Sequence, residues 1–239
     1  PSTSALMGKA SFWCKKAAPP NPLPKPETMQ SLTRHAVLVR LVPFVLFMLL
    51  LALRGQMGEG IGGQDARWLY GVQVVVVAAA LAWGWRSYGE LSKQLTPTAS
   101  ESGIAVAVGL LVFVAWINLD APWMVLGQAS ATFVPTTGTG ALDWPLITAR
   151  VIGAVLVVPL MEELFWRSFL MRWVDDAQFE RVVPSSVTAK AMVLSTFAFV
   201  LVHTQWLAAA LAGLAYAWLY RRSGKLWLAI IAHAVPNGA

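Results

Sequence analysis

The stretch Pro159-Leu160-Met161-Glu162-Glu163-Leu164-Phe165-Trp166-Arg167 sets two adjacent carboxylates and an arginine inside an apolar run reaching from 145 to 172. Ionisable groups in a run long enough to cross a bilayer are rare, and they mark functional sites by default. The setting decides the fold class. Of 239 residues, 57% are hydrophobic and only 13% charged, with a mean hydropathy of +0.60, whereas about a quarter of a soluble domain is charged. The chain is therefore expected to be an all-α, polytopic membrane helical bundle.

Working outward, further apolar runs occupy 36 to 53, 68 to 85, 103 to 119, 188 to 203, 206 to 220 and 226 to 239. With 145 to 172 they give about seven transmembrane helices, although the last falls short of the roughly 20 residues of a full span. Short connections make residues 34–239 one domain, and no β-barrel alternation is present. Residues 1–33, Pro-rich toward the end, read as a disordered cytosolic arm. The lone Cys14, beside Lys15 and Lys16, excludes an intramolecular disulfide and leaves acylation conceivable.

The net charge of +6 does not point to nucleic acid, because the basic residues are spread between apolar runs instead of forming one stripe. They read as topology determinants. Lys and Arg gather in the arm and in 86–102, 172–190 and 221–225, while the loop from Asp120 to Asp143 has neither. Alternating helices from a cytosolic N-terminus put every basic segment on the cytosolic side; Arg54 and Arg67 are mild exceptions. The loop 127–144, rich in Gly, Thr and Pro, reads as a connector. The twelve tryptophans fall mostly near helix ends, as an interfacial belt would. His35 is expected at the interface, and Arg40 and Arg150 to snorkel or pair.

On a helix, Glu163 and Arg167 share a face and can pair, whereas Glu162 is turned about 100° away. Arg167 would then fix Glu163 and leave Glu162 to face a polar cavity, its pKa raised by desolvation as a general base requires. His203 closes the fifth run one turn after Phe199, and His233 and Asn237 share a face of the last. Measured from the basic residues Arg172, Lys190 and Lys225, Glu162, His203 and His233 lie at depths of about 15, 20 and 12 Å. They can therefore converge. Pro159 and Pro236 each remove a backbone donor, leaving the carbonyls of Val155 and Ala232 short of a partner.

These groups suit hydrolysis of a peptide bond in or at the edge of the membrane. Glu162 and His203 would orient and deprotonate a water, and His233 and Asn237 would donate to the developing oxyanion, a role worth roughly 10²–10³ in rate per donor.

Glu162-Glu163-Leu-Phe-Trp-Arg167, Phe199-Val-Leu-Val-His203 and His233-Ala-Val-Pro-Asn237 resemble, in order and spacing, the signature of the CAAX prenyl protease and bacteriocin-processing family of glutamate-type intramembrane proteases. The resemblance implies catalytic roles for Glu162, His203, His233 and Asn237, with Glu163 and Arg167 supporting them, and no cofactor. It implies membrane-protein or lipidated-peptide substrates and an integral protein of the bacterial inner membrane. Trp85-Arg-Ser-Tyr-Gly-Glu-Leu91 and the text around Glu162 also look like an exosortase-associated branch, which would link the chain to a sorting system.

Other readings stay open. Glu162, His203 and His233 could hold zinc with a water as fourth ligand, although the chain has no His-Glu-x-x-His motif. Intramembrane Glu, Arg and His also build proton relays, so a proton-coupled carrier is a rival, although no inverted repeat is visible. A non-catalytic scaffold or immunity protein on the same fold is another.

Overall fold

Each apolar run folds as a helix with recognisable ends. A computed structural model describes residues 26–57, 60–61, 64–65, 67–127 and 134–239. Among these, seven helices carry the fold: α1 (Pro26–Met57), α2 (Leu69–Gly84), α3 (Ala99–Asn118), α4 (Trp144–Trp173), α5 (Ala189–Val200), α6 (Trp206–Ser223) and α7 (Leu226–Gly238). α1 opens at Pro26, inside the segment expected to be an arm; residues 1–25, with Cys14, lie outside the described residues. A two-residue antiparallel pairing, Gly60–Ile61 with Gln64–Asp65, stands between α1 and α2.

The ends follow local chemistry. Thr98 and Glu101 close a reciprocal capping box at the start of α3. Asp143 accepts from the Leu146 amide ahead of Pro145 at the start of α4, and Thr188 accepts from the Ala191 amide ahead of α5. Gly224, at φ +71°, ends α6 in the left-handed region that glycine enters freely.

The segments Arg34–Gln56, Leu69–Ser87, Ala99–Asn118 and Trp144–Trp173 are long and apolar enough to cross a membrane, and α5 and α7 are shorter apolar helices. The exterior is correspondingly apolar: Leu49, Val75, Leu111, Leu156, Phe197 and Leu201 all stand more than half exposed. Water would reject so much apolar surface, whereas lipid accepts it.

α4 is the central helix and packs against α1, α2, α5, α6 and α7. Every residue from Met161 to Phe169 is buried. Its backbone widens to the π form at Gly153–Val157 and again at Leu164–Leu170, on either side of the α-helical turn Val158–Glu163. Such widenings concentrate at functional sites. α3 and α7 meet closely at Gly109, where an added Cβ would stand 2.6 Å from the Ala232 carbonyl oxygen and 2.7 Å from the Val235 Cβ. Only glycine admits that approach, and it sets the helix that carries His233.

The basic ends are tied by polar contacts. Lys225, before α7, bonds both carboxylate oxygens of Glu101 at 2.7 and 2.8 Å, and Asp175 accepts from the amide and hydroxyl of Thr188. Arg40 on α1 is buried and grips Glu90 with two bonds of 3.0 and 2.9 Å. Ser168 on α4 bonds both Arg40 and Glu90, and Arg172 donates to the Ser168 hydroxyl at 2.8 Å. Both guanidiniums lie over the Phe179 ring, each 5.1 Å from its centre. Burial alone would raise the Glu90 carboxyl, but the charge and hydrogen bonds of Arg40, with Ser168, outweigh it and hold the group below its ordinary value.

Candidate active site

The narrow α-helical turn of α4 presents Glu162 and Glu163 to different surroundings. Glu163 is fully buried and its Oε1 accepts from two sides, from Arg167 at 3.2 Å and from the Nδ1 of His233 at 2.7 Å. Arg167 is itself held from three directions. Its second amino group donates to the Gly213 carbonyl on α6 at 3.2 Å, and its guanidinium lies over the rings of Phe199 and Tyr216 at 4.7 and 5.3 Å. Gly213 is required there, because an added Cβ would fall 2.7 Å from the Thr196 side chain on α5.

Glu162, 7% exposed, turns the other way into a cavity of about 200 Å³. Its wall includes Trp116 from α3, Val158 from α4, Phe199 and His203, Ala212 and Tyr216 from α6, and His233, Pro236 and Asn237 from α7. The four residues expected to be catalytic thus line one space contributed by three separate parts of the chain. The Oε2 atoms of both glutamates are buried without a hydrogen-bond partner. Such atoms are costly in a packed interior unless something else engages them. The cavity has room for a water and a substrate carbonyl.

Hydrogen bonds fix the histidine tautomers. The Nδ1 of His203 lies 2.8 Å from the Phe199 carbonyl oxygen, which can only accept, so Nδ1 carries the proton and Nε2 is left as an acceptor. Trp116 and Phe199 hold this ring, edge-on at 5.9 Å and tilted at 4.2 Å between centres. The Nδ1 of His233 donates to a carboxylate, and its ring is stacked on Tyr216 at 5.1 Å with an angle of 18°.

Asn237 donates one amide hydrogen to the Ala154 carbonyl at 3.0 Å and keeps a second for a ligand. The acceptor differs from the carbonyl expected to be freed by Pro159, that of Val155. The cause is the π register: the Val158 amide reaches back five residues to Gly153, so the next donor in that register would be residue 159, which as proline has none. Ala154 is therefore the orphan, and Asn237 satisfies it. Across the molecule the carbonyl of Ala232, freed by Pro236, faces Gly109.

Tyr216, Trp116 and Gly213 were not singled out by the sequence. A pointer existed for Tyr216 and Gly213, one turn apart in the apolar run before Arg221, but an apolar helix offers many such pairs. Glu162, His203 and His233 share the cavity wall, yet among the described residues no three His, Cys, Asp or Glu side chains form a group that could hold a metal ion.

Comparison with known proteins turns on this C-terminal part of the chain. No curated protein and no solved structure matches. Residues 144–239 match the family model described as type II CAAX prenyl endopeptidase Rce1-like. That segment runs from α4 through α7 and contains Glu162, Glu163, Arg167, His203, His233 and Asn237. Over residues 144–239 the chain is thus similar to the Rce1-like type II CAAX prenyl endopeptidases, a family of membrane proteases.

Proposed function

We propose that the chain is a glutamate-type intramembrane endopeptidase that cleaves membrane-associated proteins near their C-termini with a water activated in the α4 cavity. The observation that carries the reading is the partnerless Oε2 of buried Glu162 in a cavity shared with His203, His233 and Asn237.

A water hydrogen-bonded between Glu162 and the Nε2 of His203 gives up one proton to one of them as its oxygen attacks the scissile carbonyl carbon, the other proton staying on that oxygen. Charge then develops on the carbonyl oxygen, where the Nε2–H of His233 and the second amide hydrogen of Asn237 donate. Glu163, clamped by Arg167, keeps His233 oriented. As the tetrahedral carbon collapses, the C–N bond breaks and the proton held by Glu162 or His203 passes to the leaving amine. No step needs a metal, and loss of cleavage on chelation with recovery on added zinc would replace this scheme by one with Glu162, His203 and His233 as ligands.

The test is mass spectrometry of membrane-protein C-termini in cells carrying the chain, its Glu162→Gln variant, or neither. New C-termini made by the intact chain alone are expected. Identical C-terminal peptides from the variant would overturn the assignment and favour a carrier or a silent scaffold. C-termini ending in or before sorting helices would give the exosortase link its substrates.

A further inference from the structure

On the face of α4 turned away from the catalytic cavity, a groove of about 670 Å³ runs between α2 and α4. Its walls are Ala78, Leu81 and Ala82 on α2, and Leu156, Val157 and Leu160 on α4, with Trp83, Trp85 and Arg86 at one end. Leu156 and Leu160 each precede by two residues a lining residue of the cavity, Val158 and Glu162, and so lie about 200° around the helix from it. The body of α4 separates the two spaces.

The groove is apolar along its length and basic at its mouth. Arg86 is exposed at the end of the span Leu69–Ser87 and makes no ion pair among the described residues. His35 reaches the same rim from α1: its ring meets Trp83 edge-on at 5.9 Å, and its Nε2 lies 3.1 Å from the Ser87 hydroxyl. Arg34, exposed, is its neighbour and opens the span Arg34–Gln56. From Arg86 to Ala78 the groove descends about 12 Å into the membrane. An apolar trough with paired tryptophans and cations at its interfacial end matches a lipid acyl chain below an anionic headgroup.

We infer that this groove binds one anionic phospholipid from the leaflet on the basic side of the bundle, with an acyl chain between α2 and α4 and its phosphate at Arg86. The occupant is a membrane lipid and not the lipid chain of a substrate, because the groove opens on the back of α4 and shares no lining residue with the cavity of Glu162.

Native mass spectrometry of the purified full chain, titrated separately with dioleoyl-phosphatidylglycerol and dioleoyl-phosphatidylcholine, tests the inference. One retained phosphatidylglycerol is expected, preferred by about fivefold or more, the contribution of a single arginine near a membrane surface. Arg86→Gln, at an exposed position, should bring the two lipids to near equality. Ala82→Trp, also exposed, should fill the trough and remove the bound lipid. Equal retention of the two lipids by the intact chain, or an Arg86→Gln variant that keeps the preference, overturns the proposal. So does displacement of phosphatidylglycerol by a farnesylated peptide, which would give the groove to substrate.

Discussion

Two buried polar clusters hang on α4, centred on Glu163 and Ser168, only about 8 Å apart along the helix. In the one that holds Glu162, Glu163, Arg167 and His233, two carboxylate oxygens lack partners and a cavity opens beside them. In the one that holds Arg40, Glu90, Ser168 and Arg172, both oxygens of Glu90 are bonded and the guanidiniums are covered by Phe179. Similar groups gathered on one helix thus differ in satisfaction. A fully satisfied network fixes shape, while an under-satisfied one keeps lone pairs available for a ligand and has its cost met by the surrounding fold.

The contrast is sharpest in what removal of one charge does. Glu162→Gln should lower cleavage of an identified substrate by 10²–10⁴, roughly the span of general acid–base contributions, and leave the melting temperature in detergent within a degree or two. Glu90→Gln should do the reverse. It leaves Arg40 buried and unpaired, a loss of about 3–5 kcal/mol in stability, while the molecules that remain folded should cleave near the normal rate. If Glu162→Gln melted early, or Glu90→Gln stayed stable but inactive, the division between the clusters would be wrong.

Glu163 belongs to both descriptions and should show both effects. Replacement by Gln keeps the shape but strands Arg167 and removes the carboxylate that orients His233. Stability should fall by about 3 kcal/mol, and activity by a further factor beyond the folded fraction. Cleavage per folded molecule equal to that of the intact chain would confine Glu163 to a structural role.

Acid separates the clusters more gently. Because the Glu90 carboxyl is held below its ordinary value, its pairing with Arg40 contributes stability above the usual carboxylate range and loses it as pH falls through the lowered value. Melting temperatures measured downward from neutral pH should therefore decline in the intact chain, and the decline should be shallower in Glu90→Gln. Parallel curves would show that other carboxylates govern the acid limb.

How much of this was legible in the sequence follows from the same physics. The seven helices stand close to the apolar runs because a lipid-facing helix must be apolar over its whole length, which composition alone reveals. The pairing of Glu163 with Arg167 was legible because four residues on one helix need no tertiary knowledge. The partner of Arg40 was not, since Glu90 lies 50 residues away in a loop and nothing local marks it. The freed carbonyl was misplaced by one residue, from Ala154 to Val155, because the π turn shifts register without a distinctive sequence. His233 stood out in the sequence as an ionisable group in an apolar run, but its attachment to Glu163 required the approach of α7 to α4.

The smallest effect concerns Tyr216, which stacks on His233 and lies beneath Arg167 without a bond of its own to either. Its contribution should come from the ring, because stacking and the cation over its face both use the π system. Tyr216→Phe should then keep activity within about threefold, whereas Tyr216→Ala should free the His233 ring to tilt and cost roughly tenfold or more, a stacked pair and a cation–π contact each being worth about 1 kcal/mol. Rates of the two variants on one substrate decide the matter. If Phe fell as far as Ala, the hydroxyl would be the active part, and Tyr216 would join Asn237 among the proposed donors to the oxyanion.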